Sequence, residues 1–168
     1  MLARVDSFIL IGIDPHLCEV ETDVARAGLN KTTIVGLAQA AVKESVERVR
    51  VSMINSGYAF PMHGMGINLA PADVKKEAPA LDLPIVIGLL RASDFIKGEK
   101  HRQYLIAGEL ALDGRLRKIK GALSMALLAR QTKHRGVIIP RDNAREAAVV
   151  EGVDVIPVGS PAEAGAVL

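Results

Sequence analysis

The sequence predicts an α+β fold in a single domain that spans residues 1–168. Alternating polar and apolar residues near the N-terminus indicate strands with one solvated face. An apolar stripe with spacings of four and three indicates an amphipathic helix after them. Hydrophobic residues make up 49% of the 168, which is enough for one core and excludes a disordered chain.

The first forty residues are predicted as strands. The run "FILIGI" at 8–13 is continuously apolar, and "LCEVETDV" at 17–24 places Glu19, Glu21 and Asp23 at every second position. After a turn near Gly28, "TTIVG" at 32–36 is a third short strand. The acidic alternation predicts that one face of this sheet is solvated.

The next segment, 38–57, is predicted as a helix. Val42, Val46, Val49 and Met53 follow one another at intervals of four, three and four residues, so they fall on one face of a helix. Gly57 is the expected end of that helix. We therefore expect these four side chains to be buried.

The middle of the chain mixes strands with a buried helix. "GINLA" at 66–70 is a predicted strand, and Asp82 is predicted to cap a helix that contains Pro84 in its first turn. "YLIAGEL" at 104–110 is again predicted as a strand, and Asp113-Gly114 predicts a tight two-residue hairpin after it.

The last third alternates helices and strands. Residues 121–131 are predicted as a helix, "GVIIP" as a strand, 143–150 as a helix opened by Asn143 with Glu146 three residues later, and "VDVIPV" as the last strand. Ser160, Pro161 and Glu163 then form the usual start of a helix. Because five residues follow that start, we expect the sequence to be the front part of a longer polypeptide.

Composition limits the classes of function. The longest apolar runs are far below the roughly 20 residues that a membrane helix needs, and the N-terminus lacks the pattern of a signal peptide. A cytoplasmic protein without a membrane partner is therefore expected. Cys18 is the single cysteine and the four histidines are widely spaced, so the sequence predicts neither a disulfide nor a local metal motif.

The net charge of +2 is unevenly distributed along the chain. Residues 91–141 hold 12 Lys and Arg against 4 Asp and Glu. A basic segment of this kind can contact nucleic acid, contact an acidic partner, or remain merely solvated. The candidate contact residues follow the predicted hairpin turn and the next helix: Arg115, Arg117, Lys118, Lys120, Arg130, Lys133 and Arg135.

Any contact of this segment with DNA is expected to be electrostatic and independent of base sequence. The chain has two Tyr, three Phe and no Trp, and none of them lies in 115–135, so stacking on bases is not expected there. Phosphate contacts by Lys and Arg would instead give a steep dependence of affinity on salt.

Lys31 and Thr32 superficially resemble the end of a phosphate-binding P-loop. That motif requires Gly immediately before the lysine and again five residues earlier, so that the backbone can wrap the phosphates. The earlier position holds Ala25, and the residue before Lys31 is not Gly. The sequence therefore predicts no nucleotide site and no cofactor in this chain.

Five segments in order, "IVGLAQAAVKESVERVR", "NSGYAFP", "INLAPADVKKE", "LDLPI" and "GELALDG", resemble the N-terminal domain of the ComM/YifB family. These are bacterial AAA+ proteins often called magnesium chelatase-like. The resemblance implies a domain similar to the proteolytic domain of Lon, within the superfold of ribosomal small-subunit protein domain 2. It also implies a following AAA+ module, ATP and Mg in the full-length protein, hexameric rings, and DNA branch migration during natural transformation.

The resemblance also locates the positions of a Lon-type Ser/Lys dyad. Ala80 stands at the serine position and Leu123 near the lysine position, so neither side chain can attack a carbonyl or accept a proton. Ser124 and Lys120 lie near the second position but are expected to be surface residues. Asp73, Glu77 and Asp82 form an acidic cluster, in which Asp82 is better explained as a helix cap.

The resemblance thus predicts a non-catalytic accessory domain of an AAA+ motor. Its expected role is to assemble the ring or to guide DNA, with the AAA+ module and further copies of the chain as partners. Two alternatives stay open: a peptidase-like enzyme with a rearranged dyad, and a pure oligomerisation module.

Overall fold

The computed structural model describes residues 1–28, 31–35, 39–72 and 79–168. It has the mixed α+β composition predicted from the sequence, with strands in three sheets and helices against them. The first sheet has four strands in the order β1-β2-β4-β3. These are β1 (Leu2–Ile11), β2 (Asp14–Val24), β3 (Thr32–Val35) and β4 (Met65–Ala70).

Strands β1 and β2 form a long antiparallel hairpin, and this confirms the strand prediction for the N-terminal segment. Gly12 has a φ of +65°, a left-handed value that the first position of a two-residue hairpin turn requires, and Ile13 is the second residue of the turn. Along β2, Cys18, Val20 and Thr22 are buried, as the period of two predicted. Strand β4 pairs antiparallel with β2 and parallel with β3.

Two helices cover the buried face of this sheet. In α1 (Gln39–Asn55), the predicted stripe of Val42, Val46, Val49 and Met53 is buried, and no member is more than 4% exposed. Helix α2 (Asp82–Ala92) follows a 3₁₀ turn at Pro79–Leu81 and is buried on nearly all sides. Because α2 lies between β1, β2 and α1, it forms the centre of the first hydrophobic core.

The second half of the chain forms a smaller parallel sheet and a short hairpin. The sheet has the order β5 (Tyr104–Ile106), β8 (Gly136–Pro140) and β9 (Asp154–Val158), and the hairpin consists of β6 (Glu109–Leu110) and β7 (Leu116–Arg117). Helix α3 (Ala122–Gln131) packs on β8 and on the short helix α4 (Ala144–Ala147), and α5 (Pro161–Val167) packs on α2. A second hydrophobic core lies under α3.

The connection between β6 and β7 differs from the predicted two-residue turn. The N–H of Gly114 donates to the carbonyl of Ala111 at 3.0 Å, so Leu112 and Asp113 are the central residues of the turn. Gly114 follows them with a left-handed φ of +92°. This is the arrangement of a longer hairpin loop with glycine in the left-handed position, and Asp113 avoids the positive φ that the predicted turn would impose on it.

Two of the predicted helix caps are wrong and one is confirmed. Asp82 is the first residue of α2 rather than its cap, and the 143–150 segment forms only the single turn of α4, without a capping bond from Asn143. Ser160 does cap α5, because its Oγ accepts from the N–H of Glu163 at 3.2 Å with Pro161 at the first helical position. The partners that Asp82 and Asn143 have instead lie in distant parts of the chain.

Candidate functional site

Ala80 lies in the 3₁₀ turn that leads into α2. Its carbonyl accepts from the N–H of Gly108 at 2.8 Å, and the carbonyl of Gly108 accepts from the N–H of Leu83 at 3.0 Å. These two bonds attach the turn to the chain between β5 and β6. The methyl group of Ala80 is half-buried against the second core, so this position offers hydrocarbon and no hydroxyl.

Leu123 is the second residue of α3, and its side chain is 39% exposed. Its N–H donates to Oε1 of Glu146 at 3.2 Å. An isobutyl group that faces solvent can neither accept nor donate a proton. Both positions that the family resemblance assigns to a Ser/Lys dyad therefore hold side chains without catalytic chemistry.

The residues next to Leu123 do not supply a substitute pair. Ser124 is half-buried and Lys120 is exposed, and no hydrogen bond joins the two side chains. Lys120 precedes α3 and Ser124 lies in its first turn. Both positions fit the prediction of surface residues at a helix terminus.

Asn143 and Glu146 hold the start of α3 from outside the helix. The buried Asn143 side chain accepts from the N–H of Ile119 and donates to the carbonyl of Ile119, both at 2.9 Å, while Glu146 accepts from Leu123. The predicted capping box of Asn143 and Glu146 is wrong because both side chains are used across the interface between α4 and α3. The backbone groups of Ile119 and Leu123 thereby gain hydrogen-bond partners.

Asp82 belongs to a buried ion pair. Its carboxylate is 0% exposed and accepts from Nε of Arg48 at 2.8 Å and from Nη2 of Arg48 at 3.1 Å. The N–H of Leu110 donates to the same carboxylate at 3.0 Å, and Ser45 Oγ accepts from Arg48. Asp73 and Glu77, the other members of the predicted acidic cluster, lie outside the described residues.

The Arg48–Asp82 pair joins α1, α2 and the β6–β7 hairpin at one point. The hydrogen bond to Asp82 raises the pKa of Arg48 above its usual value, so the guanidinium stays charged. Two parallel N–H bonds to one carboxylate give this pair a fixed geometry. Both oxygens of the Asp82 carboxylate accept hydrogen bonds from the protein, and none of the carboxylate is exposed to solvent.

A network of polar side chains that the sequence did not predict links β1 to the end of α3. Nε2 of His134 lies 3.0 Å from Oδ2 of Asp6, and Nδ1 of His134 lies 2.6 Å from Oγ1 of Thr132. Nη1 of Arg102 lies 3.1 Å from the other Asp6 oxygen, and Oγ1 of Thr132 also donates to the carbonyl of Leu128 at 2.8 Å. Asp6 precedes the run 8–13 that the sequence predicted as a strand, so no local pattern indicated this network.

The side chains of Thr132, His134 and Asp6 resemble a hydroxyl–imidazole–carboxylate triad, but their hydrogen bonds connect elements of the fold. The Thr132 hydroxyl donates to the last turn of α3, as threonine commonly does at a helix end. Arg102 shares Asp6 with His134, and it also contacts Glu19 at 3.2 Å. The geometry links β1, β2 and the α3–β8 loop.

All seven predicted contact cations are exposed; four precede α3 along the chain, with Arg117 in β7, and three lie at its last turn or after it. Arg115 pairs with Asp113 at 2.7 Å and Arg135 pairs with Asp154 at 3.0 Å. Within the ranges that the structure describes, the remaining five have no carboxylate within ion-pair distance: Arg117, Lys118, Lys120, Arg130 and Lys133. The pKa of Asp113 is lowered, first by the N–H of Arg115 and then by its side chain.

The two groups of cations are separated by the length of α3. A helix of ten residues is about 15 Å long. Lys118 and Lys120 precede its first turn, and Arg130 and Lys133 lie at its last turn and just after it. The two predicted basic segments therefore lie before and after one helix and do not form one compact cluster.

No described group of three or more His, Cys, Asp or Glu side chains is arranged to hold a metal ion. In the same ranges, no helix has the length and apolar character needed to cross a membrane.

Comparison with known proteins gives consistent matches. Residues 20–143 match the family described as "Subunit ChlI of Mg-chelatase". The chain is 41% identical over 151 residues to YifB of Escherichia coli K12, covering 90% of the chain and 29% of that protein. It is 40% identical over 149 residues to "Competence protein ComM" of Haemophilus influenzae, covering 89% and 29%.

A protein of Mycobacterium tuberculosis H37Rv is 36% identical over 154 residues, covering 92% of the chain and 30% of that relative. The matched region thus spans less than a third of each of these relatives. The family match and the identity to YifB and ComM over about nine tenths of the chain show that it belongs to the ComM/YifB family of magnesium chelatase-like proteins.

Proposed function

We propose that this chain is a non-catalytic domain that holds DNA by its phosphates, as an accessory to a ComM-type motor. The observation that carries the proposal is the set of exposed cations at the two ends of α3, five of which have no ion-pair partner in the described ranges. Charges that are not neutralised by the protein attract phosphates over a Debye length of about 8–10 Å.

The spacing of these cations suits a nucleic-acid backbone. Duplex DNA carries one negative charge per about 1.7 Å of its axis, so a helix of about 15 Å passes several phosphates. Arg117, Lys118 and Lys120 would contact phosphates before α3, and Arg130 and Lys133 at its other end. The absence of aromatic residues from 115–135 favours backbone contacts without base reading.

The non-catalytic part of the proposal rests on Ala80 and Leu123. A Lon-like fold places a Ser/Lys dyad at these positions, and the chain has a methyl group and an exposed isobutyl group there. The mixed α+β architecture, with a buried helix between the first sheet and α1, is compatible with that fold. The domain would then retain the shape of a peptidase and act by binding.

The full-length protein would supply the energy. As in the family resemblance, we expect an AAA+ module with ATP and Mg, a hexameric ring in the cytoplasm, and DNA branch migration during natural transformation. The relatives are about three times as long as the matched region, which leaves room for such a module in them. In this proposal residues 1–168 form one domain that guides DNA toward the motor.

Charge reversal on one side of α3 tests the DNA contact. The double variant Arg117→Glu/Lys118→Glu is expected to bind a branched duplex much more weakly than the unchanged chain. It should also reduce the slope of log K against log salt by about two, because two phosphate contacts are lost. Fluorescence anisotropy at about 50 mM and about 200 mM salt measures both quantities.

The control variant Arg26→Glu/Lys43→Glu makes the same change in net charge at exposed sites away from α3. It is expected to keep most of the affinity and the original slope. With about five phosphate contacts, the unchanged chain should lose about 10²–10³-fold in affinity between the two salt concentrations. Equal losses in both double variants would show that net charge alone, and not this surface, attracts DNA.

A second candidate function is ring assembly, and exposed apolar side chains at two places on the surface favour it. Ile13 and Met62 are 87% and 78% exposed, which is uncommon for residues of their size in the absence of a partner.

The peptidase alternative would have to use Thr132 and His134, the one hydroxyl–imidazole contact in the described ranges.

A further inference from the structure

We propose that copies of this chain associate head to tail, with the tip of the β1–β2 hairpin of one copy on an aromatic surface of the next. The inference names the contact behind the ring-assembly part of the proposed function. It does not depend on DNA binding, because neither surface includes the cations at the ends of α3.

The first surface, the hairpin tip, consists of Ile11 and Ile13. These side chains are 45% and 87% exposed. Ile13 occupies the second position of a two-residue turn, where polar residues and glycine are usual. A β-branched aliphatic side chain at the end of two paired strands is rigid and projects into water, so its burial in a partner costs little conformational entropy.

The second surface, the aromatic surface, consists of Tyr58, Phe60, Met62 and Phe95. The rings of Tyr58 and Phe95 meet edge to face at 5.8 Å, and the guanidinium carbon of Arg50 lies 5.1 Å from the Phe60 ring centre. Phe95 is 55% exposed and Met62 is 78% exposed. Three of the five aromatic residues of the chain are collected here, and aromatic residues, Met and Arg are the types enriched at protein interfaces.

The two surfaces lie at opposite ends of the β1–β2 hairpin. Its open end, where Leu2 is opposite Asp23, borders a hollow lined by His63 and Asp94, the chain neighbours of Met62 and Phe95. Strand β1 has ten residues, so the tip is about 30 Å from this end. A contact between different ends of identical copies repeats from copy to copy and produces a ring or a filament.

Charge favours this head-to-tail contact over a symmetric one. The exposed Asp14 follows Ile13 at the tip, and Arg50 stands over the aromatic surface with its side chain 48% exposed. Arg50 has one weak carboxylate contact in the described part of the chain, Glu47 at 3.8 Å. Two tips together would oppose Asp14 to itself, whereas a tip on the aromatic surface brings a carboxylate toward a guanidinium.

The test uses one variant for each surface, singly and mixed. Ile13→Asp disables the tip and Met62→Asp disables the aromatic surface, and both side chains are too exposed for the core to be affected. Val149→Asp, at a residue that is 74% exposed on neither surface, is the matched control. Light scattering after size exclusion, with loads from about 1 to about 100 µM, gives the mass of each sample.

We expect the unchanged chain and Val149→Asp to form oligomers whose mass rises with concentration, and each single-surface variant to be a monomer. A mixture of Ile13→Asp and Met62→Asp should form dimers and nothing larger, because it contains one intact tip and one intact aromatic surface. A monomeric unchanged chain would overturn the proposal. Met62→Asp that still dimerises would also overturn it, since the contact would then be between two tips.

Discussion

Replacing Arg48 by Met is expected to lower the free energy of unfolding by about 3–5 kcal/mol, because the change leaves the Asp82 carboxylate buried without its cation. That carboxylate is 0% exposed, and apart from Arg48 it accepts a hydrogen bond from the N–H of Leu110. A single backbone donor cannot replace two charged N–H groups. Urea denaturation followed by circular dichroism measures the difference.

Two further variants separate the loss of the pair from other effects. Arg48→Met/Asp82→Leu should recover part of the stability, because hydrophobic residues often replace a buried pair at little cost, while the N–H of Leu110 loses its acceptor. Lys43→Met, at an exposed position of the same helix, should change stability by less than about 0.5 kcal/mol. If Arg48→Met cost no more than Lys43→Met, the buried pair would not hold α1, α2 and the β6–β7 hairpin together.

Acidification from about pH 7 to about pH 5 is expected to destabilise the fold through His101, by up to about 1.4 kcal/mol per pH unit. Burial lowers the pKa of His101 below its usual value, and the nearby Glu99 offsets this in part. As pH falls through the usual histidine range, the unfolded chain binds a proton that the folded chain does not. Stability is therefore lost in that window and is fully present above it.

The geometry of His101 explains why its charged form is disfavoured. The residue is 1% exposed, and neither ring nitrogen has a hydrogen-bond partner of normal geometry in the described ranges, although the backbone of Arg4 lies close enough to offset the effect of burial on the pKa in part. Glu99 Oε2 lies 3.7 Å from Nε2, beyond hydrogen-bond distance. His101→Phe should flatten the pH dependence of the urea midpoint with no loss at about pH 8, because both polar atoms are removed.

The exposed His16 provides the control for this measurement. His16→Gln should keep the pH dependence of the unchanged chain. A steep dependence that survives in His101→Phe would assign the acid sensitivity to other groups.

Periodic signals predicted the architecture well, because they report burial directly. The alternation along β2 and the stripe of α1 both place apolar side chains on one face, and both faces are buried in the structure. The α5 start was also predictable, since Ser160, Pro161 and Glu163 interact within one turn. In each case the residues that determine the element are close in the sequence.

Asp82, Asn143 and Glu146 show where local signals failed. Each is a residue type that caps helices, but Asp82 binds Arg48, 34 positions away, and Asn143 binds Ile119, 24 positions away. A buried polar group takes the partner that satisfies it most completely, and no local pattern reveals a partner at that distance. The contact of His134 with Asp6, 128 positions apart, was invisible for the same reason.

The candidate site was predictable in part. The surface position of the cations followed from their charge, but their division between the two ends of α3 depends on where that helix begins and ends. The positions of Ala80 and Leu123 came from the family resemblance, and their chemistry follows from the side chains alone. The hairpin tip and the aromatic surface gave no signal in the sequence, because exposed apolar residues are recognisable only once the core is known.

The most direct test of the account is whether any hydroxyl in this chain behaves as a nucleophile. The chain, in parallel with an active serine peptidase, is treated with a fluorophosphonate probe and analysed by intact-mass spectrometry, and a second sample is incubated with unfolded casein. We predict no covalent adduct and no cleavage, because Ala80 and Leu123 supply neither hydroxyl nor amine. An adduct on Thr132 or Ser124, or casein cleavage abolished by Thr132→Val, would contradict a role in binding without chemistry.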